Sequence, residues 1–305
     1  MTLAIRTRRW RYPEYSSSCI SARKADMDGI LLSVSVMKLA NHEREPRAFA
    51  AKPDHVDAYL RVLSALMLRD MRTRFAGSYW GYLVQVVWPV SHMLIIAFAL
   101  AIRNIPAPFG ESSIIFAATG AVPTLVFQYI SREIMKGILI NKPLTYYPQV
   151  RSIDVMFSRV LVEINGSFMG VVLVFLIIYA IGLDPVPLNI TSAIFGYICA
   201  ILLGIGVGSI NVAIVQVFPG WVIGYVLIGI LIYLASGVMF MPNDFPEHIY
   251  AIMKWNPVLQ IVELVRLGYD PNLPITIDYL YIFLWILGTF TVGLLLERTI
   301  GRRGN

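Results

Sequence analysis

Between residues 185 and 243 the chain carries no Asp, Glu, Lys or Arg. A bilayer crossing takes about 20 mostly apolar residues, and backbone in lipid must satisfy its own hydrogen bonds. The run therefore predicts two spanning helices, at about 191–217 and 221–240, joined at Phe218-Pro219-Gly220-Trp221, where a helix breaker is flanked by aromatics that favour the membrane interface. Comparable apolar stretches at about 82–102, 112–130, 158–182 and 279–296 bring the expected number of spans to six. The fold class is all-α integral membrane.

Three other patterns fall between or before these spans. From 56 to 75, Tyr59, Leu63, Met67, Met71 and Phe75 recur every fourth residue with Asp57, Arg61, Ser64, Arg69 and Arg72 between them, which predicts an amphipathic helix whose basic end precedes the first span. Residues 131–153 read as a polar loop, with Arg132, Lys136, Lys142 and Arg151 beside Pro143 and Pro148. Between 241 and 277 neither a span nor a plain loop is expected, but two short helices broken at Asn256-Pro257, which read as the cap and first position of the second. Each is about half a crossing long, so the pair predicts a hairpin that either dips back into the bilayer or lies flat on it. Residues 1–55 are polar and aperiodic, as expected of a disordered tail, the competing reading being a true start at Met27 or Met37.

Composition agrees with this class: 57% of the 305 residues are hydrophobic, 14% are charged, and the mean hydropathy is +0.67. The net charge of +6 changes the picture only through its distribution. With the N-terminus in the cytoplasm, all but four of the 25 Lys and Arg residues fall on the cytoplasmic side, leaving Arg103, Lys254 and Arg266 opposite and Arg159 at a span end. The positive-inside rule thus places both termini, including the 298–305 tail, in the cytoplasm, and the basic charge does not indicate nucleic-acid binding. Cys19 and Cys199 form neither a disulfide framework nor a metal site.

Candidate chemistry is sparse. No GxxxxGK[ST] phosphate loop occurs; the nearest stretch, from Gly137 to Lys142, lacks the second glycine and the Ser/Thr, so any ATP and Mg belong to another chain. HExxH, GxSxG and Cys/His metal spacings are absent from the sequence. Inside the spans the polar groups are His92, Asn165, Asn211 and Gln216, and Arg159 with Glu163 one turn on, spaced for an intrahelical ion pair. Mid-membrane carboxylates of the kind that carry protons are missing, so the drive for any transport is expected from outside the membrane. Gly166 and Gly170 in span three, Gly204, Gly206 and Gly208 in span four and Gly220, Gly224 and Gly229 in span five permit close helix approach.

Three patches resemble the permease subunits of ABC-2-type exporters of capsular polysaccharide and polyol phosphate: RDMRTRFAGSYWGYLVQVVWPVSHMLI at 69–95, VRSIDVMFSRVLVE at 150–163, and SGVMFMPNDFP followed by WNPVLQIVELVR within 236–266. The resemblance covers about 56–297. Ser152 stands where the family often has proline, the turn at 218–221 lacks its charges, and the first 50-odd residues are an addition.

The resemblance implies a homodimer pairing with two copies of a separate ABC ATPase in the bacterial inner membrane, moving lipid-linked polysaccharide between the two permease copies towards periplasmic and outer-membrane export proteins. On it, Arg69, Arg72, Arg74 and Phe75 belong to an interfacial gate helix, and Lys142, Tyr147, Pro148 and Arg151 to the coupling loop. Tyr79, Trp80, Tyr82, Trp88 and His92 are channel-lining candidates, the aromatics serving equally as an interfacial belt. Trp255, Asn256, Pro257, Glu263 and Arg266 belong to the external hairpin. The competing readings are an ABC-2 permease for a lipid or drug, and a membrane glycosyltransferase or polymerase, which would cluster carboxylates on one loop.

Overall fold

The computed structural model describes residues 55–74, 79–102, 112–146 and 150–301. The chain divides into two compact units, 1–58 and 59–305, and of the first only the opening turn of a helix is described. The described residues form nine α-helices: α1 (His55–Arg74), α2 (Tyr79–Ile102), α3 (Ser113–Asn141), α4 (Ser152–Ala180), α5 (Ile190–Val217), α6 (Trp221–Ala235), α7 (Glu247–Met253), α8 (Pro257–Tyr269) and α9 (Tyr279–Gly301). Four stretches are long and apolar enough to cross a bilayer, Ser113–Leu144, Ser152–Ala180, Ile190–Val217 and Tyr279–Ile300, while Val90–Ala99 and Trp221–Ala235 are shorter apolar helical segments.

Helix α5 is the centre of the bundle. Its glycines let two neighbours approach along opposite seams: a Cβ on Gly204 would lie 3.0 Å from the Phe127 carbonyl oxygen of α3, and one on Gly206 2.3 Å from Thr289 Oγ1 of α9. In the same seams Gly208 meets Ser131 and Ile134 of α3, and Gly293 of α9 meets Ser209. Residue numbers rise together on both sides, so α3, α5 and α9 run in the same direction. Expected contact at Gly204, Gly206 and Gly208 is therefore present, whereas the nearest neighbours of Gly220 and Gly224 are Phe218 and Trp221 of their own segment.

Two expected boundaries are corrected. Residues 131–141 are not a loop, because α3 continues to Asn141 and only a 3-10 turn, Lys142–Tyr146, separates it from the short connection to α4. The stripe Ile130, Ile134, Met135 and Ile138 is buried and keeps the helical period, while the charges between are answered by other side chains. Helix α6 stops at Ala235 rather than continuing to 240, because Gly237 adopts φ +69 and the chain turns through Pro242–Asp244. Around the expected Pro-Gly turn the sequence pattern is matched closely, α5 ending at Val217 and α6 starting at Trp221, while α4 starts at Ser152, ahead of the expected 158.

Helix α6 makes little buried apolar contact of its own, with only Tyr225 and Tyr233 buried. Polar groups fasten it instead. Tyr225 Oη donates to Ser131 Oγ at 2.7 Å, Gln128 Nε2 donates to the Gly229 carbonyl at 2.6 Å, and Trp221 Nε1 donates to Asn211 Oδ1 at 2.9 Å.

Helix α8 packs antiparallel to α5, with a Cβ on Gly268 placed 2.8 Å from the backbone nitrogen of Ala193. Backbone cannot withdraw as a flexible side chain can, so Gly268→Ala should destabilise the protein by about 1–3 kcal/mol. Gly288→Ala, where nothing lies within 4 Å, should change stability by less than about 0.5 kcal/mol. Thermal unfolding of the two detergent-purified variants checks the contrast, and equal melting temperatures would contradict the packing described.

Candidate functional site

Charged side chains are rarely buried unless they are paired, so a bundle this apolar draws attention to the ones it encloses. Among the described residues two guanidinium groups are enclosed, Arg159 at 1% exposure and Arg266 at 0%, and they mark opposite ends of α3.

At one end, Arg159 of α4 gathers three carboxylates from three helices. Its Nη1 pairs with Asp70 of α1, its Nη2 donates to Glu133 of α3 at 2.9 Å, and Glu163 one turn along α4 lies 3.3 Å from Nε, close enough for charge pairing. Gly137 makes room for the side chain, since a Cβ there would lie 3.0 Å from Arg159 Cγ. Lys136 at 3.0 Å and Arg132 at 3.4 Å also pair with Glu133, so three cations face three carboxylates. Asn141, the last residue of α3, donates to the Gly137 carbonyl at 3.0 Å and to Asp70 at 3.4 Å. The expected Arg159–Glu163 pair is present, but it is one edge of a larger network. The contacts of Asp70 and Glu133 with Arg159 were missed because that partner lies 89 and 26 positions away. Removing Arg159 would leave buried carboxylates uncompensated, a change that typically costs about 3–5 kcal/mol.

At the other end, Arg266 of α8 donates to the Gly237 carbonyl at 2.7 Å and the Phe240 carbonyl at 3.3 Å, and its Cζ lies 4.4 Å from the Phe116 ring centroid. It thereby answers carbonyls that α6 loses where it unwinds, which ties the break in α6 to the expected hairpin residue. Asn256 caps α8 as expected, accepting from Val258 N–H at 3.0 Å, and its amide donates to Ser236 Oγ at 3.0 Å. Pro257 occupies the first turn. Helix α8 is enclosed on more than one side, for Val258, Leu259, Gln260, Ile261, Val262, Glu263, Leu264 and Val265 are all buried, whereas α7 buries none of its residues. Trp255 remains exposed, its ring 6.4 Å from Tyr281 and its carbonyl accepting the Tyr281 hydroxyl at 2.6 Å.

Glu263 has 0% exposure, accepts the Tyr250 hydroxyl at 3.1 Å through Oε1, and has no hydrogen-bond partner at Oε2. Lys254, the nearby cation on the α7 side, is engaged by Thr276 at 2.7 Å. Burial raises the Glu263 carboxyl to about 7, the Tyr250 hydrogen bond and the Lys254 and Arg266 charges only partly opposing it. Burial likewise lowers Arg266 to about 9.

The remaining expected residues divide as follows. His92 packs edge-on against Tyr233 of α6 at 5.3 Å and lies 6.5 Å from the half-exposed Trp88, so it belongs to an α2–α6 aromatic contact. Tyr79, Trp80 and Tyr82 fall on α2, and Arg69, Arg72 and Arg74 on the last turn and a half of α1. Phe75, Tyr147 and Pro148 lie outside the described residues. Lys142 is exposed at the start of the 3-10 turn, and Arg151 precedes α4, its N–H donating to the Asp154 carboxylate at 2.9 Å. A cleft between α3 and α4, lined by Val122, Tyr129, Glu163 and Gly166 among others, encloses about 20 Å³. That is room for about one water, far too little for a sugar. Among the described residues no group of His, Cys, Asp and Glu could hold a metal ion.

The fold is a helical bundle with four stretches long and apolar enough to cross a membrane and a buried cation at each end of α3. The model of the ABC-2 type transporter family matches residues 61–269, and the chain belongs to that family. The chain is 29% identical over 244 residues to the polysialic acid transport protein KpsM of Escherichia coli, covering 78% of this chain and 93% of that protein. It is 22% identical over 243 residues to the capsule polysaccharide export inner-membrane protein BexB of Haemophilus influenzae, covering 79% and 92%. Against the capsule polysaccharide export inner-membrane protein CtrC of Neisseria meningitidis serogroup A it is 24% identical over 209 residues, covering 68% and 79%.

The raised Glu263 carboxyl sets a pH dependence. In the folded chain the group binds its proton more tightly than the unfolded value of 4.5, so the stability it contributes is complete below about 4.5 and is lost as pH rises towards about 7. The full span is worth about 3 kcal/mol. Thermal melts from pH 4.5 to 7.5 should show this fall, and Glu263→Gln should flatten it; an unchanged slope in the variant would refute the assignment.

Proposed function

We propose that the chain is the permease subunit of an ABC exporter that moves a lipid-linked capsular or related surface polysaccharide across the bacterial inner membrane. The observation that carries this reading is the match to a polysialic acid transport protein and to two capsule polysaccharide export inner-membrane proteins over 93%, 92% and 79% of their lengths. The absence of a phosphate-binding loop from the sequence supports a division of labour in which a separate ATPase, with its ATP and Mg, supplies the work.

On this reading α2, α3, α4, α5, α6 and α9 are the six spans, and α1 lies in the interface as the gate helix. Lys and Arg asymmetry supports placing the 142–151 connection and both termini in the cytoplasm, with the α7–α8 hairpin on the opposite face. Two copies assemble, and the path runs between them, a geometry consistent with the absence of a sugar-sized cleft between α3 and α4. The wide apolar faces of α6 and α9, among them Ile223, Leu227, Leu231, Leu280 and Phe283, are then covered by lipid or by the second copy. Closure of the ATPase pair would press on the 142–151 connection and change the gap between permease copies, a rigid-body movement about an interface. Periplasmic and outer-membrane export proteins would receive the polymer.

Deleting the gene should abolish surface polysaccharide and leave polymer inside the cell, measured by staining intact and permeabilised cells. Unchanged surface polymer would overturn the reading, and loss of a lipid or drug export phenotype instead would favour the related ABC-2 alternative. Replacing Arg72 and Arg74 together by Gln should cut export at least about tenfold at normal membrane levels, and replacing Arg151 by Ala should leave ATP hydrolysis while reducing export per ATP. Normal export from the Arg72/Arg74 variant would remove the gate assignment, and normal export per ATP from the Arg151 variant would remove the coupling assignment.

A further inference from the structure

The three carboxylates around Arg159 are not equivalent. Glu163 belongs to the same helix as the guanidinium and Glu133 to α3, which packs along α4, but Asp70 arrives from α1. Asn141 and Arg159 flank the 142–151 connection, one at the end of α3 and the other two turns into α4. The groups that hold Asp70 thus sit on the two helices that the connection joins.

We infer that Asp70 is a releasable latch: during the transport cycle it parts from Arg159 and frees α1, while Glu133 and Glu163 retain the guanidinium charge. Asp70 is a positioning residue on this account, acting through α1, and the inference rests on the export reading above.

Two features favour a latch over a permanent brace. Departure of Asp70 leaves Arg159 with two carboxylates, so the charge that would otherwise be stranded in the bundle stays paired. The electrostatics also return it: with Asp70 absent, Arg132, Lys136 and Arg159 outnumber Glu133 and Glu163 by one charge, an excess that attracts the carboxylate back. A permanent joint gains nothing from being ionic, since well-packed apolar groups serve as well or better. A joint that must part and re-form in one register gains from charge.

The test uses the chain assembled with its ATPase in lipid nanodiscs. Exposed Leu68 of α1 and Ile140 of α3 are replaced by Cys in a background carrying Cys19→Ser and Cys199→Ala, spin-labelled, and diluted with unlabelled protomers. Electron-electron distance measurements without nucleotide and with ATP plus vanadate should differ, with a second population displaced by about 5 Å or more, one helical turn. Asp70→Asn should raise that population without nucleotide and lower export at least about tenfold while ATP hydrolysis persists, and Asp70→Glu should restore both. A distance unmoved by nucleotide in a complex that hydrolyses ATP and exports, or one indifferent to Asp70→Asn, would overturn the latch and leave the export reading standing. A chain that recruits no ATPase would overturn both.

Discussion

Everything in this fold follows from the cost of burying polar groups in an apolar bundle. Each polar group that enters must be answered by the protein, and the two enclosed guanidinium groups are the most demanding of them. Arg159 is answered by carboxylates from three helices, Arg266 by carbonyls and an aromatic face. The first solution joins elements through charge and is reversible in principle. The second fills a gap in the backbone of an interrupted helix and holds the α7–α8 hairpin against α3.

Between these ends, backbone proximity rather than charge holds the structure. The glycine seams of α5 bring α3 and α9 to within contact of its main chain, so neither neighbour can rotate without collision. Helix α6, by contrast, is fastened by individual hydrogen bonds and α1 by side chains alone among its named contacts. The bundle thus combines a stiff layer of α3, α5 and α9 with attached elements whose links can part separately.

What the sequence disclosed depended on range. Hydrophobic runs and the Pro-Gly turn at 218–221 placed α5 and α6 with near-exact starts, and Asn256-Pro257 located the start of α8, because those signals are local. Residues 131–141 misled because charge was read as loop, when Arg132, Glu133 and Lys136 are neutralised by partners on the same helix and across the bundle. The Ile130, Ile134, Ile138 spacing already carried the helical signal there. The early end of α6 was illegible, since it depends on a positive φ at Gly237 and on a guanidinium 29 positions away. Of the candidate site, the Arg159–Glu163 edge was readable as a spacing of one turn, and Asp70 and Glu133 were beyond the reach of any local pattern.

The shared direction of α3, α5 and α9 has one more consequence. Their peptide dipoles add, so three partly negative carbonyl ends gather at the face that bears Lys142 and Arg298, and three partly positive ends at the face of the hairpin. On the six-span reading α2, α4 and α6 run the other way and their dipoles oppose these three, so the polarity is local to the α3–α5–α9 layer. An anionic group at the hairpin face would meet the partly positive ends of that layer within their first turns, whatever side chains stand beside it.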